Sequence, residues 1–300
     1  MVLKLQVQTT ILATIDDNLV MQIPFTKMHG LGNDFMVLDL VSNHVELTSE
    51  QIRQLSDRHF GIGFDQLLQV EPPSDPAVDF NYRIFNADGE EVEHCGNGAR
   101  CFANFVTDKG LTKKNPISVK TMNRTLSLHT NEAGDVTVDM SRPVFDPAQI
   151  PFTTDQAATT YSRKLLINGQ QQMVEFCPLS MGNPHAVITV DTLEDTAVHD
   201  IGKALGSHPD FPQGVNVGFM QVLNRSEVSL RVYERGAGET LACGTGACAA
   251  AVAGCLQGLL DDTVKVNVLG GQLIINWQQQ DSPVLMTGPV NTVYEGIIQL

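Results

Sequence analysis

The pentapeptide Cys-Gly-x-Gly-Ala occurs twice in this 300-residue sequence, as Cys95-Gly96-Asn97-Gly98-Ala99 and as Cys243-Gly244-Thr245-Gly246-Ala247. In each copy the cysteine precedes a glycine turn and a helix-like run, so its sulfur meets the unpaired N–H groups of a helix start. That setting favours the thiolate, and either thiol could serve as a base near neutral pH. The glycines let backbone approach a ligand closely, and their N–H groups suit a carboxylate. One such cysteine is compatible with a hydrolase or a redox protein. Two facing copies permit a narrower chemistry. One thiolate removes a proton from a carbon held between them, and the opposite thiol delivers a proton to the other face. The configuration at that carbon inverts, and the cysteines exchange roles in the reverse direction.

The doubling extends beyond the cysteines. Cys95 and Cys243 lie 148 residues apart, as do Asn86 and Glu234. Gly32-Asn33 and Gly182-Asn183 are offset by 150, as are Gln66 and Asn216. Four ordered landmarks at a near-constant offset indicate two similar domains facing each other across a cleft.

A carbon between an amine and a carboxylate is a weak acid, and the usual electron sink is pyridoxal phosphate held on a lysine. The segments around Cys95, Asn183, Asn216 and Cys243 carry no lysine, so no cofactor is expected. Oriented N–H donors from two helix starts would stabilise the developing charge in a site closed to water.

The elements that must position these groups are mostly strands. Alternating patterns predict strands at Phe80–Phe85, Leu126–His129, Val136–Met140, Val228–Tyr233 and Val284–Met286. Gly270-Gly271 reads as the turn of a hairpin between Val264–Val268 and Gln272–Trp277, and Asn168-Gly169 as another. Helices are expected at Ser49–Arg58, Gly98–Asp108 and Gly246–Leu260. The last is so rich in Ala and Gly that it suggests a helix enclosed by sheet, with Val252, Cys255, Leu256 and Leu259 filling the remaining space. Cys101, Cys177, Cys248 and Cys255 read as small buried hydrophobes.

Composition bounds the alternatives. The chain is long enough for two domains with cores of their own. A net charge of −15 opposes binding to nucleic acid or to an anionic membrane. No apolar run could span a bilayer, and residues 1–20 lack a signal-peptide layout, which makes a cytoplasmic location the expectation. Six cysteines without a Cys-x-x-Cys pair give no disulfide scaffold and no metal site.

Longer motifs carry a family resemblance. The run from Lys27 to Phe35 (Lys-Met-His-Gly-Leu-Gly-Asn-Asp-Phe) resembles the opening of the diaminopimelate epimerases. So do Phe85-Asn86-Ala87-Asp88-Gly89, His94 to Arg100, Gly182-Asn183-Pro184-His185, Glu234 to Thr240 and Ala242 to Ala247. The resemblance covers roughly residues 21–300. It implies an α/β (α+β) fold of two pseudo-symmetric domains, each a mostly antiparallel, barrel-like sheet around a central helix. The implied division is an N-terminal domain at 21–139, joined by a returning strand at about 289–300, and a C-terminal domain at 140–288. Residues 1–20 then form an extension to which no function is attached.

The implied activity is cofactor-independent interconversion of LL- and meso-2,6-diaminopimelate, in the supply of lysine and peptidoglycan precursors, by a homodimeric isomerase. Cys95 and Cys243 would be the acid/base pair. The N–H groups of Gly96, Asn97, Gly244 and Thr245 would hold the carboxylate at the reacting carbon. Asn86, Asn183, Asn216, Glu234 and Arg235 would read the distal amino-acid end, with Asn33 and Gln66 lining the cleft. His185 and Glu234 would tune the thiols, whereas His29, His94 and Arg100 read as structural. The competing readings are another racemase of the same fold, such as the proline racemase group, and a thiol redox protein.

Overall fold

The computed structural model describes residues 22–93 and 95–299. The extension expected at 1–20 lies outside the described residues. The first half runs β1 (Gln22–Gly30), β2 (Asn33–Asp39), α1 (Ser49–Ser56), β3 (Gln66–Glu71), β4 (Phe80–Asn86), β5 (Glu91–Val92), α2 (Gly96–Asp108), β6 (Ile117–Lys120), β7 (Thr125–Thr130) and β8 (Val136–Asp139). After β9 (Tyr161–Ile167), the second half repeats that order. It comprises β10 (Gln170–Ser180), β11 (Pro184–Thr189), α3 (Val198–Gly206), β12 (Asn216–Asn224), β13 (Glu227–Glu234), β14 (Gly238–Thr240), α4 (Gly244–Leu256), β15 (Thr263–Val268), β16 (Gly271–Asn276) and β17 (Leu285–Gly288). β18 (Asn291–Gln299) closes the described chain.

The pairings match step for step. β1–β2 is antiparallel, β2–β3 parallel, β3–β4 antiparallel and β4–β6 parallel. The second half repeats this with β10–β11, β11–β12, β12–β13 and β13–β15. β18 pairs with β1 as β9 pairs with β10, so the last strand completes the first half. The halves join where two equivalent strands, β8 and β17, pair antiparallel with each other. Thr137 and Thr287 face one another there, their hydroxyls 2.7 Å apart, as two-fold-related positions on a self-pairing strand must.

Each half wraps its sheet around one helix. α2 buries Ala99, Cys101, Phe102, Ala103, Phe105 and Val106, and α4 buries every residue from Gly246 to Cys255. Both helices feed one apolar core that runs through the molecule. The small side chains of α4 let sheet close over it on all sides, with β10, β11, β12, β15 and β16 packed against it.

The expected elements form, with shifted ends. Both long helices begin two residues earlier than expected, at Gly96 and Gly244, so each cysteine is itself the N-cap. α4 stops at Leu256 rather than Leu260, and Leu256 and Leu259 are 39% and 37% exposed instead of filling the interior. Gly258, at φ 71° just after the C-cap Gln257, turns the chain out of the helix, and Gly254, where a Cβ would sit 2.2 Å from Leu260, leaves room for Leu260 to pack back on it. α1 is capped by Thr48 in a reciprocal box with Gln51.

Candidate active site

The four landmark pairs converge because of sheet direction. Parallel β2 and β3 begin on the same edge, and antiparallel β4 ends there. Asn33, Gln66 and Asn86 therefore share that edge with the start of α2. The same logic gathers Asn183, Asn216, Glu234 and the start of α4 in the second half. Left-handed glycines make the tight turns that present the asparagines, Gly32 at φ 90° before Asn33 and Gly182 at φ 93° before Asn183.

The two helix starts meet. Asn97 Nδ2, on the first turn of α2, donates to the Ala242 carbonyl beside Cys243 at 3.3 Å. Met286 fills the space behind both turns, since a Cβ on Gly96 would lie 2.7 Å from its Cε and one on Gly244 3.1 Å from its Sδ. A side chain at either glycine would displace the end of Met286. By helix geometry the first-turn N–H groups of Gly96, Asn97, Gly244 and Thr245 have no carbonyl partner within their helices.

The two thiols differ in their partners. Cys95 Sγ accepts the Gly98 N–H at 3.5 Å and donates to Asn33 Oδ1 at 3.6 Å. Cys243 Sγ donates to Glu234 Oε2 at 2.9 Å and lies 3.5 Å from Thr245 Oγ1. Thr240 donates to the other Glu234 oxygen at 2.6 Å. Helix-start N–H groups alone would lower both pKa values, but burial reverses that. Burial raises Cys95 against the N–H groups of Gly98 and Asn97, with the Glu234 charge adding to the rise. Cys243 is raised further, by burial, by the Glu234 charge and by the bond to that carboxylate. All six cysteines are free.

The remaining residues form two groups. Gln66 Nε2 donates to Asn86 Oδ1 at 2.9 Å across β3 and β4. Asn216, buried, donates to Pro184 O at 3.2 Å and accepts the Arg235 N–H at 2.9 Å. The Arg235 guanidinium is exposed, tethered by one bond to Gln213 O at 2.8 Å, and has no carboxylate partner among the described residues. His185 is buried with its Nε2 3.0 Å from Asn183 Oδ1, and burial holds its pKa at about 3, so its ring is neutral at ordinary pH. Its hydrogen bond is to Asn183 rather than to a thiol, and Asn183 Nδ2 in turn donates to Thr245 Oγ1 at 3.3 Å.

Sequence reasoning missed Asp65, Tyr82, Thr240 and Met286. Tyr82 donates to the Cys95 carbonyl at 3.2 Å, and Asp65 accepts from Asn33 at 3.0 Å. Thr240 lies inside a recognised motif and Asp65 is adjacent to Gln66, so proximity to landmarks was the available signal.

A doubled, mixed α/β fold with a helix-capping cysteine from each half defines the class of two-domain epimerase-like proteins. A hydroxyproline epimerase from Agrobacterium vitis shares the fold, with a TM-score of 0.66 at 15% identity over 93% of each chain. The family model for diaminopimelate epimerase matches residues 25–145 and 177–293. Curated relatives named diaminopimelate epimerase from Ectopseudomonas mendocina (strain ymp) and Stutzerimonas stutzeri (strain A1501) are 56% and 55% identical. Each match spans 280 residues, 93% of this chain and 100% of the relative. The chain belongs to the diaminopimelate epimerase family.

Proposed function

We propose that this chain interconverts LL- and meso-2,6-diaminopimelate by proton transfer at one α-carbon, with Cys95 and Cys243 acting on opposite faces. The observation that carries this reading is the meeting of two helix starts, each capped by a cysteine and joined through Asn97 and the Ala242 carbonyl. The N–H groups of Gly96, Asn97, Gly244 and Thr245 bind the α-carboxylate, so charge leaving the α-carbon flows toward two helix dipoles. One thiolate takes the α-proton. The electron pair delocalises into the carboxylate, and the opposite thiol returns a proton to the other face. The thiolate has then moved to the other cysteine.

Cys243 holds its proton more firmly, against Glu234, so it begins as the acid and Cys95 as the base. Arg235 binds the distal carboxylate through its planar fork, with Asn86, Asn183 and Asn216 around the distal amine and Asn33 and Gln66 lining the cleft. His185 acts through Asn183 and Thr245 on Cys243. A monocarboxylate substrate of the proline racemase type would leave Arg235 without a partner.

The proposed division is 21–139 with the returning strand 289–300, and 140–288. No helix among the described residues is long and apolar enough to cross a membrane. We infer a cytoplasmic homodimer. The outer edge of β18, with Val293, Tyr294 and Ile297 exposed, supports an association surface, and sedimentation velocity tests it.

The test of the activity is incubation with LL-diaminopimelate in heavy water under reducing conditions. Deuterium is expected at the α-carbon as the meso isomer accumulates, and Cys95→Ala or Cys243→Ala stops the reaction. Turnover of proline-type substrates alone would overturn the assignment.

A further inference from the structure

Asn33 presents a definite end of its amide to Cys95. Its Nδ2 donates to Asp65 Oδ2 at 3.0 Å, while its Oδ1 accepts from Cys95 Sγ at 3.6 Å and from Asn97 Nδ2 at 3.3 Å. A carboxylate only accepts, so only the NH2 end of Asn33 satisfies Asp65. The reverse orientation would set two oxygens together at Asp65 and two NH2 groups together at Asn97. Asp65 is itself held. Arg58 Nη2 donates to its Oδ1 at 2.8 Å, and the Asp34 N–H to its Oδ2 at 3.2 Å. Asp34 is fixed in turn by a two-pronged bond from Arg58 and by Lys27 at 2.6 Å.

The equivalent asparagine in the second half has the opposite polarity. Asn183 directs its NH2 to Thr245, on the Cys243 side, and its oxygen to His185. The position 150 residues beyond Asp65 is Val215, which cannot impose an orientation. The two asparagines beside the cysteines are therefore held differently, and Asp65 is the side chain that orients the first.

We propose that Asp65 is a positioning residue that locks the Asn33 amide with its carbonyl oxygen toward the Cys95 sulfur, holding Cys95 as the thiol until a substrate displaces that contact. The proposal rests on reading Cys95 as one of the two acid/base groups, and it adds a residue that controls when that group becomes a base. With the lock released, Asn33 turns its NH2 toward the sulfur, where it donates to the thiolate and favours it. Among the described residues, the other charged groups near Cys95 are Glu234, which disfavours the thiolate, and Arg100, which favours it. Neither bonds to Asp65 among the described residues. Asp65 is faced by Arg58, by the Asp34 main chain, and through Asp34 by Lys27.

The test follows the alkylation rate of Cys95 by iodoacetamide against pH, by peptide mass mapping, in wild type, Asp65→Ala, Asn33→Ala and the double variant. Asp65→Ala removes the acceptor that holds the Asn33 NH2 and is expected to move the Cys95 profile to lower pH, with roughly tenfold faster alkylation below the midpoint for each unit moved. Removing a negative charge also favours the thiolate directly, and the double variant separates the two causes. Acting through Asn33, Asp65→Ala adds no shift in the Asn33→Ala background, whereas a direct charge effect persists there and overturns the proposal. An unchanged or raised profile in Asp65→Ala also overturns it, including where only thermal stability falls. If Asp65→Ala does not fold, Asn33→Ala decides alone: loss of the acceptor lowers the profile, and an unchanged profile refutes the lock. No substrate is needed, so failure here is distinct from failure of the epimerase assignment.

Discussion

Glu234 accepts the Cys243 thiol proton at 2.9 Å, and its second oxygen is occupied by Thr240 at 2.6 Å. The carboxylate is thus fixed from one side and acts on the sulfur from the other. Its counterpart in the first half, Asn86, bonds to Gln66 instead. The pseudo-symmetric cysteines are therefore inequivalent before any substrate arrives.

Replacing Glu234 by Gln removes a negative charge beside a buried thiol and, with Thr240 keeping the remaining oxygen, turns a donating NH2 toward the sulfur; both changes favour the thiolate. The Cys243 alkylation profile is expected to move to lower pH, with the rate at neutral pH rising about tenfold for each unit. Turnover in the direction that uses Cys243 as the acid falls. An unchanged Cys243 profile would show that Glu234 has no hold on the proton.

The wall behind Cys95 is rigid. A Cβ on Gly98 would lie 2.5 Å from the Tyr82 hydroxyl oxygen, and Tyr82 is almost fully buried between β4 and α2. Gly98→Ala is expected to destabilise by about 1–3 kcal/mol, the range for overpacking a closed core. Removing the obstructing oxygen with Tyr82→Phe should restore part of that loss, as denaturant unfolding of both single variants and the pair would measure. Additive losses would mean that the strain lies elsewhere.

What the sequence revealed tracks what is local. A cysteine before Gly-x-Gly reports a helix start by itself, and matched offsets reported the doubling. Strands β1 to β3 were not resolved from pattern, because Phe35–Leu38 is buried on both faces and shows no alternation. α3 starts at Val198 behind Ala197, an N-cap with no side-chain hydrogen bond, and gave no start signal. The raised thiol pKa values escaped the motif because burial comes from surrounding sheet, not from neighbours in sequence. Asp65 and Tyr82 act on partners 32 and 13 residues away. No local pattern encodes such contacts.

Asp34 supplies an acid-dependent part of stability. Burial alone would raise its pKa, but hydrogen bonds from Arg58 and Lys27 outweigh burial and bring it from 3.8 to about 2. The folded value lies below the unfolded one, so the contribution is complete above about pH 4 and is lost as pH falls toward 2. Allowing for screening at the exposed Arg58, it amounts to roughly 1–2 kcal/mol. Urea unfolding of wild type and Asp34→Asn should show a gap at pH 7 that closes near pH 2. A gap independent of pH would mean that the carboxylate's charge is not what stabilises the fold.

Arg235 tests the distal end of the proposed substrate. Gly214, at φ 71°, backs its stem, with a Cβ there lying 3.0 Å from Arg235 Cδ, and Gln213 O anchors one guanidinium nitrogen at 2.8 Å. The remaining donors form a planar fork suited to a carboxylate, which the point charge of lysine reproduces poorly. A distal carboxylate far from the reacting carbon binds equally in the ground and transition states, so its loss raises KM and leaves kcat nearly unchanged. Arg235→Lys is expected to raise KM for diaminopimelate about tenfold and Arg235→Ala about a hundredfold, taking one or two lost charge-assisted hydrogen bonds at roughly 1.5–3 kcal/mol each. Steady-state kinetics in both directions measures this. A fall in kcat with KM unchanged would place Arg235 at the reacting carbon instead of the distal end.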